Sequence, residues 1–265
     1  MLSIDALTRE VCRPVRGVLF DIDDTFTLEG KLIPQAFSAL WELHSAELIL
    51  VPITGRPAGW CDHIARMWPV DGVVGENGAF YYWYDREAGK LRHRYIFSPE
   101  EMSGNQAKLE SIKREILSKV PGAKVSADQP YRIFDLAIDF NEDVSHLGEE
   151  KVNRICRIFQ DHGASYKISS IHVNGWFGDY NKLSTARLFL EERLSLPWEE
   201  AVRAFIFTGD SPNDEPMFQA LKLTVGVANV KEFESRMKHL PAYVTHKKGG
   251  LGFAELAHKI IELKS

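Results

Sequence analysis

The sequence predicts an α/β fold in which helices cover both faces of a parallel sheet, with an α+β segment inserted into it. Short apolar runs alternate with stretches of helical spacing near the start of the chain and again near its end. The segment between them is typical of hairpins and mixed α+β order. Three of the apolar runs end abruptly in polar loops. In open α/β sheets ligands bind beyond the carboxyl ends of the strands, so these loops are expected to share one site.

The first part of the predicted sheet contains two buried strands. Gly17–Phe20 is apolar and runs into the polar loop Asp21–Thr25. Leu48–Ile53 predicts a second strand, which ends in the turn 54–57, a Thr-Gly-Arg-Pro sequence. A helical pattern begins after Pro34, and a second one covers Trp60–Met67. A further short apolar segment lies at Gly72–Val74.

The same alternation returns near the end of the chain. Helical spacing over Ser184–Leu194 precedes a predicted buried strand at Ala204–Phe207, which ends in the polar loop Gly209–Asp214. Leu223–Val227 predicts one more strand, and Leu251–Leu263 predicts a closing amphipathic helix.

The middle of the chain predicts a second domain of α+β order. Tyr81–Tyr84 and Leu91–Phe97 predict a hairpin. Helices are predicted over Ala107–Val120 and Val152–His162, and strands over Tyr131–Phe140 and Tyr166–Phe177. The predicted division is therefore a core formed by residues 1–84 and 179–265 and an inserted domain at 85–178.

Composition and charge limit the possible classes of function. The 265 residues are 45% hydrophobic and 26% charged, with a net charge of −5, which predicts a folded protein without a broad basic surface for nucleic acid. The apolar runs are far shorter than the ~20 residues of a membrane span. Met1–Arg16 has no apolar signal region, so a cytoplasmic location is expected. Cys12, Cys61 and Cys156 are too far apart for a metal pair and are expected to be buried or incidental thiols.

Carboxylates at two of the strand ends indicate a possible reaction. Asp21 and Asp23 lie two residues apart where a strand enters its loop, so one could act as nucleophile or metal ligand and the other as proton donor. A carboxylate can attack phosphorus and form an aspartyl-phosphate. Attack on an anionic phosphate needs nearby positive charge, which magnesium (Mg²⁺) held by carboxylates supplies. Asp210 and Asp214 in the late loop could complete such a site.

Four motifs in this order resemble those of the haloacid dehalogenase (HAD) superfamily of phosphohydrolases. Asp21–Thr25 resembles the DxDxT motif, and Thr54 after an apolar strand resembles the second motif. Lys182 at a helix start resembles the third motif, and Gly209–Asp214 is similar to the fourth, GDSxND. The resemblance implies a Rossmann-like core with phosphatase activity.

The resemblance also implies roles for individual residues. Asp21 would be the nucleophile and a Mg²⁺ ligand, and Asp23 the general acid and base, with its backbone carbonyl on the metal. Thr54 and Lys182 would hold the phosphoryl oxygens. The remaining residues implied are Asp210 as a direct Mg²⁺ ligand, Asp214 as the group that orients the metal's water shell, and Asn213 as a polar contact.

Two residues next to Thr54 complete the predicted substrate-binding set, and Asp24 departs from the family pattern. Gly55 and Arg56 follow Thr54 directly, although Arg56 could equally form a surface ion pair. At Asp24 many relatives have glycine. The extra carboxylate is expected to alter the local electric field around the metal without a catalytic role of its own.

The long segment between Thr54 and Lys182 resembles the C2-type cap of the Cof-like, sugar-phosphatase and phosphomannomutase-like members (subfamily IIB). Gly75–Ala79, before the predicted hairpin, resembles the NGA segment of the Cof-like branch. In that architecture the core carries the chemistry and the cap shapes the substrate pocket.

Polar and aromatic residues in the middle segment leave two interpretations open. Five residues on predicted cap strands could bind a polar substrate or line a solvated sheet face: Tyr131, Arg132, His172, Asn174 and Trp176. His172 is not expected to bind metal, because no second ligand stands at the required spacing. The aromatic run Tyr81–Tyr84 could stack on a ligand, but cross-strand packing is favoured.

The function predicted from the sequence is a Mg²⁺-dependent phosphatase that hydrolyses a small-molecule phosphomonoester, a sugar phosphate, through an aspartyl-phosphate on Asp21. A phosphohexomutase with the same core is the first alternative. A non-catalytic metabolite-binding protein is the second, and the presence of both Asp21 and Asp23 counts against it. The sequence predicts neither the exact substrate nor the oligomeric state.

Overall fold

The computed structural model describes residues 1–169 and 171–264, which form two compact units. The first unit contains Met1–Gly55, Asp62–Arg94 and the residues from Asn181 onward. The second contains Arg56–Cys61 and Tyr95–Tyr180. No helix in the described ranges is both long and apolar enough to cross a lipid bilayer.

The first unit is built on a six-stranded parallel sheet. Numbered in chain order, its strands are β1 (Leu2–Ser3), β2 (Gly17–Phe20), β3 (Ile49–Pro52), β11 (Phe205–Gly209), β12 (Leu223–Gly226) and β13 (Tyr243–Val244). Their spatial order is β1-β13-β12-β11-β2-β3, and every neighbouring pair is parallel. The carboxyl ends of β3, β2, β11 and β12 therefore lie side by side along one edge of the sheet. The parallel sheet predicted from the sequence is confirmed.

Helices and a smaller sheet complete the first unit. Its main helices are α1 (Arg9–Cys12), α2 (Pro34–Ser45), α6 (Lys182–Leu194), α7 (Trp198–Ala204), α8 (Glu215–Ala220) and α9 (Gly249–Lys264), while α3 (Ala58–Met67) begins in the second unit. A three-stranded sheet has the order β4 (Val73–Gly75), β5 (Phe80–Asp85) and β6 (Lys90–Tyr95). Short 3₁₀ helices cover Ile4–Ala6, Pro212–Asp214 and Ala228–Arg236, and a turn with left-handed backbone covers Glu76–Gly78.

Burial explains why the central strands are almost entirely apolar. All residues of β2 and β11 are buried, as expected for parallel strands covered on both faces. Phe189 of α6 and Tyr81 of β5 are buried in the same core, with their rings edge to face at 5.2 Å. Tyr81 therefore packs in the core, although this ring contact is with helix α6 and not across strands as predicted for the aromatic run.

The second unit consists of a four-stranded antiparallel sheet and two long helices. The strands are β7 (Lys124–Val125), β8 (Asp135–Asp139), β9 (Ser165–Ile168) and β10 (His172–Trp176), in the spatial order β7-β8-β10-β9. The helices are α4 (Pro99–Lys119) and α5 (Glu149–Asp161). Alternate strand residues such as Ile138 and Val173 form an apolar core with α4 and α5.

Two element boundaries differ from the sequence prediction by four residues or more. Helix α4 begins at Pro99 and not at Ala107, because Ser98 and Glu101 form a capping box around its first turn. The predicted strand 131–140 is wrong at its start, since a 3₁₀ helix covers Gln129–Tyr131 and β8 begins only at Asp135. Pro130 provides no backbone donor for a strand ladder at this point.

The polar residues predicted on the strands of the second unit are largely buried. Arg132, whose side chain is 3% exposed, pairs with Asp128 at 2.8 Å and Asp135 at 3.0 Å. Asn174 donates to the second oxygen of Asp135 at 2.9 Å. His172 and Trp176 are also buried, whereas Tyr131 is exposed. A solvated face is therefore wrong for the strand residues His172, Asn174 and Trp176, and Arg132 belongs to a buried ion-pair network.

Candidate active site

Asp21 lies at the carboxyl end of β2, in the middle of the six-stranded sheet. Its backbone N–H donates to the carbonyl of Thr208 on the neighbouring strand β11 at 3.0 Å, which fixes the first residue of the loop. The side chain is buried, and its Oδ1 lies 2.9 Å from the ammonium Nζ of Lys182. A buried carboxylate and a buried ammonium group thus form an ion pair where the strand ends.

Lys182 is the first residue of α6 and connects two carboxylates. Asn181 caps the helix: its side-chain oxygen accepts from the Ser184 N–H at 3.0 Å, and the Ser184 hydroxyl accepts from the Asn181 N–H. From this fixed start, the Lys182 Nζ reaches Asp21 and Asp214, each at 2.9 Å. Such charge-assisted contacts are stronger than neutral hydrogen bonds.

Asp214 ends the short 3₁₀ helix that follows β11, and both of its oxygens have partners. Oδ1 binds Lys182, while Oδ2 accepts from the N–H groups of Asp210 at 3.0 Å and Ser211 at 3.4 Å. A Cβ atom on Gly209 would lie 2.4 Å from the Asp214 Oδ2. Glycine at this position therefore lets the carboxylate pack directly against the backbone.

Asp210 follows β11 and is also held through both oxygens. The Thr25 hydroxyl donates to Oδ1 at 3.1 Å, and the Asn229 amide donates to Oδ2 at 3.0 Å. Since Thr25 belongs to the loop after β2, this contact joins the first and fourth predicted motifs. The structure thus brings Asp21, Lys182, Asp210 and Asp214 together.

Asn229 is a residue of this site that the sequence analysis missed. Its amide Nδ2 donates both to Asp210 and to the backbone carbonyl of Asp24, at 3.0 and 2.9 Å. Its Oδ1 accepts from the N–H of Gly249 at 3.1 Å, at the start of α9. Asn229 lies beyond the carboxyl end of β12, so its position after a fourth strand end is the signal in the sequence that indicates it.

Burial and mutual repulsion change the pKa values of the site. Burial raises the pKa of Asp21 to about 7; the Lys182 charge opposes this shift, and the charges of Asp214 and Asp23 add to it. The pKa of Asp210 is raised well above its usual range by burial and by the charges of Asp214 and Asp21. Burial lowers the pKa of Lys182, but the two neighbouring carboxylates outweigh this effect and the net shift is upward.

The donor set fits a hard divalent cation. Carboxylate oxygens of Asp21, Asp210 and Asp214 all lie within 4.8 Å of one another, and all three residues are buried. Oxygen atoms are the ligands that Mg²⁺ prefers. A cation would also offset the repulsion that raises the pKa values of Asp21 and Asp210.

The two remaining carboxylates of the first motif differ in their surroundings. Asp23 is half-buried, and its charge helps to raise the pKa of Asp21. Asp24 has a left-handed backbone, with φ of 56°, and its N–H donates to the Thr27 hydroxyl at 3.0 Å. Glycine adopts this region freely and aspartate tolerates it, which explains how Asp24 fits at this position.

The other predicted site residues also follow strands: Thr54, Gly55 and Arg56 come after β3, and Asn213 comes after β11. Thr54 is buried beyond the end of β3, and its N–H donates to the carbonyl of Val74 at 2.9 Å. Gly55 follows it in the first unit. Arg56 belongs to the second unit, where its guanidinium lies 4.4 Å from the centre of the Trp60 ring. Asn213 is half-buried, and its Oδ1 accepts from the Ser211 hydroxyl at 2.8 Å.

No protein-family model matches the sequence, and no curated protein sequence matches it. Solved structures match the fold over nearly the whole chain. A haloacid dehalogenase-like hydrolase from Bacteroides thetaiotaomicron is 15% identical and has a TM-score of 0.65, with 93% of this chain and 99% of that chain covered. A putative HAD/COF-like hydrolase from Plasmodium vivax is 17% identical, with a TM-score of 0.70 and coverage of 97% and 99%.

A sucrose-phosphatase from Synechocystis sp. PCC6803, solved in complex with sucrose and phosphate, is 15% identical. Its TM-score is 0.61, with 92% of this chain and 98% of that chain covered. At these identities the likeness concerns the fold. The chain therefore has the fold of the haloacid dehalogenase-like hydrolases, the superfamily that its four motifs resemble.

Proposed function

We propose that the protein is a Mg²⁺-dependent phosphatase that hydrolyses a small phosphomonoester, a sugar phosphate, through an aspartyl-phosphate on Asp21. The observation that carries this proposal is the ion pair between Asp21 and Lys182, buried beside Asp210 and Asp214 at the carboxyl edge of the sheet. It supports the proposal because a carboxylate, the Lys182 ammonium group and further carboxylate oxygens lie within one small volume.

The proposed reaction has two steps. The Asp21 carboxylate attacks phosphorus, and the bond between phosphorus and the ester oxygen breaks while Asp23 donates a proton to that oxygen. The alcohol leaves, and Asp21 carries the phosphoryl group. Asp23 then takes a proton from water, whose oxygen attacks phosphorus and releases inorganic phosphate and the free Asp21 carboxylate.

Positive charge offsets the negative charge that gathers during attack. Lys182 and the Thr54 hydroxyl hold the phosphoryl oxygens, and Asp214 keeps the Lys182 ammonium in place through their 2.9 Å contact. The carboxylates of Asp21 and Asp210, with the backbone carbonyl of Asp23, would hold Mg²⁺. When bound, the cation supplies further neutralisation of the phosphoryl charge.

A sugar phosphate is the favoured substrate for two reasons. The sucrose-phosphatase with the same fold was solved with sucrose and phosphate bound. The family resemblance also implies that residues 85–178 form a cap, which favours a small substrate over a folded phosphoprotein. The domain division and the cytoplasmic location remain predictions, as does substrate binding by Gly55, Arg56 and Asn213.

The test is phosphate release from a panel of sugar phosphates with Mg²⁺ and again with excess EDTA. We expect turnover of at least one sugar phosphate with Mg²⁺ and its loss in EDTA, because the clustered carboxylates repel a phosphate when no cation is bound. The absence of turnover across the panel would count against the proposal. An isomerised sugar phosphate as the product, formed only with a sugar bisphosphate activator, would instead indicate a phosphohexomutase.

Asn229 provides a test of the proposed metal site. Replacing it with alanine removes the donor to one oxygen of Asp210 and to the carbonyl of Asp24. We expect Asn229→Ala to weaken Mg²⁺ binding about 10-fold, because groups that orient metal ligands typically contribute a factor of roughly 10–100 to metal affinity. Isothermal titration calorimetry of the phosphate-free protein measures this affinity directly.

The companion variant Thr25→Val removes the donor to the other oxygen of Asp210. It should weaken Mg²⁺ binding in the same direction. Parental Mg²⁺ affinity in both variants would show that Asp210 needs no orienting partners, and would contradict this assignment.

A further inference from the structure

The turn that joins β4 to β5 has an unusual backbone. Glu76, Asn77 and Gly78 have successive φ values of 41°, 58° and 110°, all in the left-handed region. Residues other than glycine rarely adopt this region, and keep it only where the surrounding structure fixes the backbone. Glu76 is fully buried and Asn77 is nearly so. The contacts around the turn therefore matter more than its local propensity.

On one side the turn holds the residues that follow β3. The Asn77 N–H donates to the backbone carbonyl of Thr54 at 3.0 Å. A Cβ atom on Gly55 would lie 3.1 Å from the Asn77 Oδ1, so the asparagine side chain packs directly against the Gly55 backbone. Thr54 is thus held between Val74, which accepts from its N–H, and Asn77, which donates to its carbonyl.

On the other side the turn holds the start of α6. The carbonyl of Gly78 accepts from the Thr185 hydroxyl at 2.5 Å, and Thr185 is itself buried. A Cβ atom on Gly78 would lie 2.3 Å from the carbonyl oxygen of Asn181 and 3.1 Å from the backbone N of Lys182. The two backbones therefore approach so closely that only glycine fits between them.

We infer that the Glu76–Gly78 turn is a positioning element that sets the spacing between Thr54 and Lys182. The inference rests on the proposed function, in which these two residues hold the phosphoryl oxygens. Thr54 follows strand β3, whereas Lys182 begins helix α6. The turn contacts the backbone at both places. In enzymes a displacement of about 1 Å in a binding group costs up to ~100-fold in rate, so a rigid spacer at this point preorganises the phosphoryl site.

The main test is Gly78→Ala. Its methyl group would push the turn and the start of α6 apart, which moves Lys182 away from Thr54. We expect the affinity for inorganic phosphate, measured calorimetrically with saturating Mg²⁺, to fall about 10-fold and kcat to fall roughly 10- to 100-fold. Mg²⁺ affinity measured without phosphate should fall less than phosphate affinity, because Lys182 would contact the phosphoryl oxygens directly but reaches the metal ligands only through its ion pair with Asp21.

Gly122→Ala is the matched control. Gly122 also has a left-handed backbone, with φ of 94°, but its Cβ would meet only the flexible ends of Leu147 and Lys151, the nearer at 3.0 Å. The backbone strain of a non-glycine residue is thus reproduced without a clash against backbone. We expect a loss of stability in both variants and a loss of phosphate affinity only in Gly78→Ala.

A second pair of variants covers the case in which Gly78→Ala does not fold. Thr185→Val removes the hydroxyl that donates to Gly78 while it preserves the shape of the side chain, and Thr185→Ser retains the hydroxyl. Phosphate affinity should fall in the valine variant and return toward the parental value in the serine variant. If Thr185 had a purely structural role, Thr185→Val would lower the unfolding temperature but would leave the ratio of phosphate affinity to Mg²⁺ affinity unchanged.

Parental phosphate affinity in both Gly78→Ala and Thr185→Val would overturn the inference. An equal loss of phosphate and Mg²⁺ affinity would also overturn it, since that result indicates general distortion of the site. Failure of the proposed function gives a different result: the parent protein itself would neither bind inorganic phosphate nor release it from any sugar phosphate.

Discussion

Asp21→Asn is expected to lower kcat for phosphate release by at least about 10³-fold. An amide has no anionic oxygen to attack phosphorus, so the covalent step is lost while the shape of the side chain is kept. The remaining groups still bind phosphate, so the loss should appear mainly in kcat. The measurement is phosphate release from the sugar phosphate that the parent protein turns over fastest.

The same variant should be more stable than the parent at pH 8 when no divalent cation is present. In the folded parent the pKa of Asp21 rises from 3.8 to about 7. The native state therefore holds its proton more tightly than the unfolded state, and its stability falls as the pH rises from about 4 to about 7. Asparagine carries no such charge. Urea unfolding at pH 4 and pH 8 should show a gain that is large only at pH 8.

Asp24→Asn is the matched control for Asp21→Asn. It removes a carboxylate from the same loop, and asparagine tolerates the left-handed φ of 56° at that position. Its kcat should stay within a few-fold of the parental value. If Asp21→Asn is as active as the parent, the aspartyl-phosphate mechanism is wrong.

Lys182→Met should cause the largest loss of stability among these variants. It leaves Asp21 and Asp214, which are 3% and 0% exposed, without the cation they share. Removing one partner of a buried ion pair typically costs about 3–5 kcal/mol. We expect a loss near ~3 kcal/mol at pH 8 from urea unfolding, and a smaller loss at pH 5, because Asp21 then takes up a proton and leaves less charge buried.

The kinetic effect of Lys182→Met should be a fall in kcat of roughly 10²- to 10³-fold, since a fixed positive charge no longer meets the phosphoryl oxygens.

Lys259→Met is the control for stability. Lys259 pairs with Glu262 at 3.3 Å one turn away on the surface of α9, and such pairs contribute less than about 1 kcal/mol. Equal stability losses in the two variants would contradict the role of Lys182 in neutralising the buried carboxylates.

The central strands and the motif loops could be predicted because the information for them is local. A run such as Gly17–Phe20 is apolar throughout because both faces of its strand are covered, and the polar loop after it marks where burial ends. The order of strands and loops then places Asp21, Thr54 and Asp210 at one edge of the sheet. These predictions needed only hydrophobic periodicity and the geometry of parallel strands.

Boundaries were less predictable where side-chain contacts override periodicity. The alternating pattern after Tyr131 resembles a strand, but Arg132 is held between Asp128 and Asp135 and keeps the chain out of the ladder until Asp135. The start of α4 could have been found from Ser98 and Glu101, whose spacing is that of a capping box.

The sequence by itself determined the α/β class, the parallel sheet and the residue types that gather at its carboxyl edge, because periodicity and strand-end position are properties of short segments. Only the tertiary structure decided which of these residues touch. It paired Lys182 with both Asp21 and Asp214, brought Asn229 to Asp210, and set the Glu76–Gly78 turn between Thr54 and α6. These contacts join residues far apart in the chain, so their geometry depends on how the elements pack and not on any local pattern.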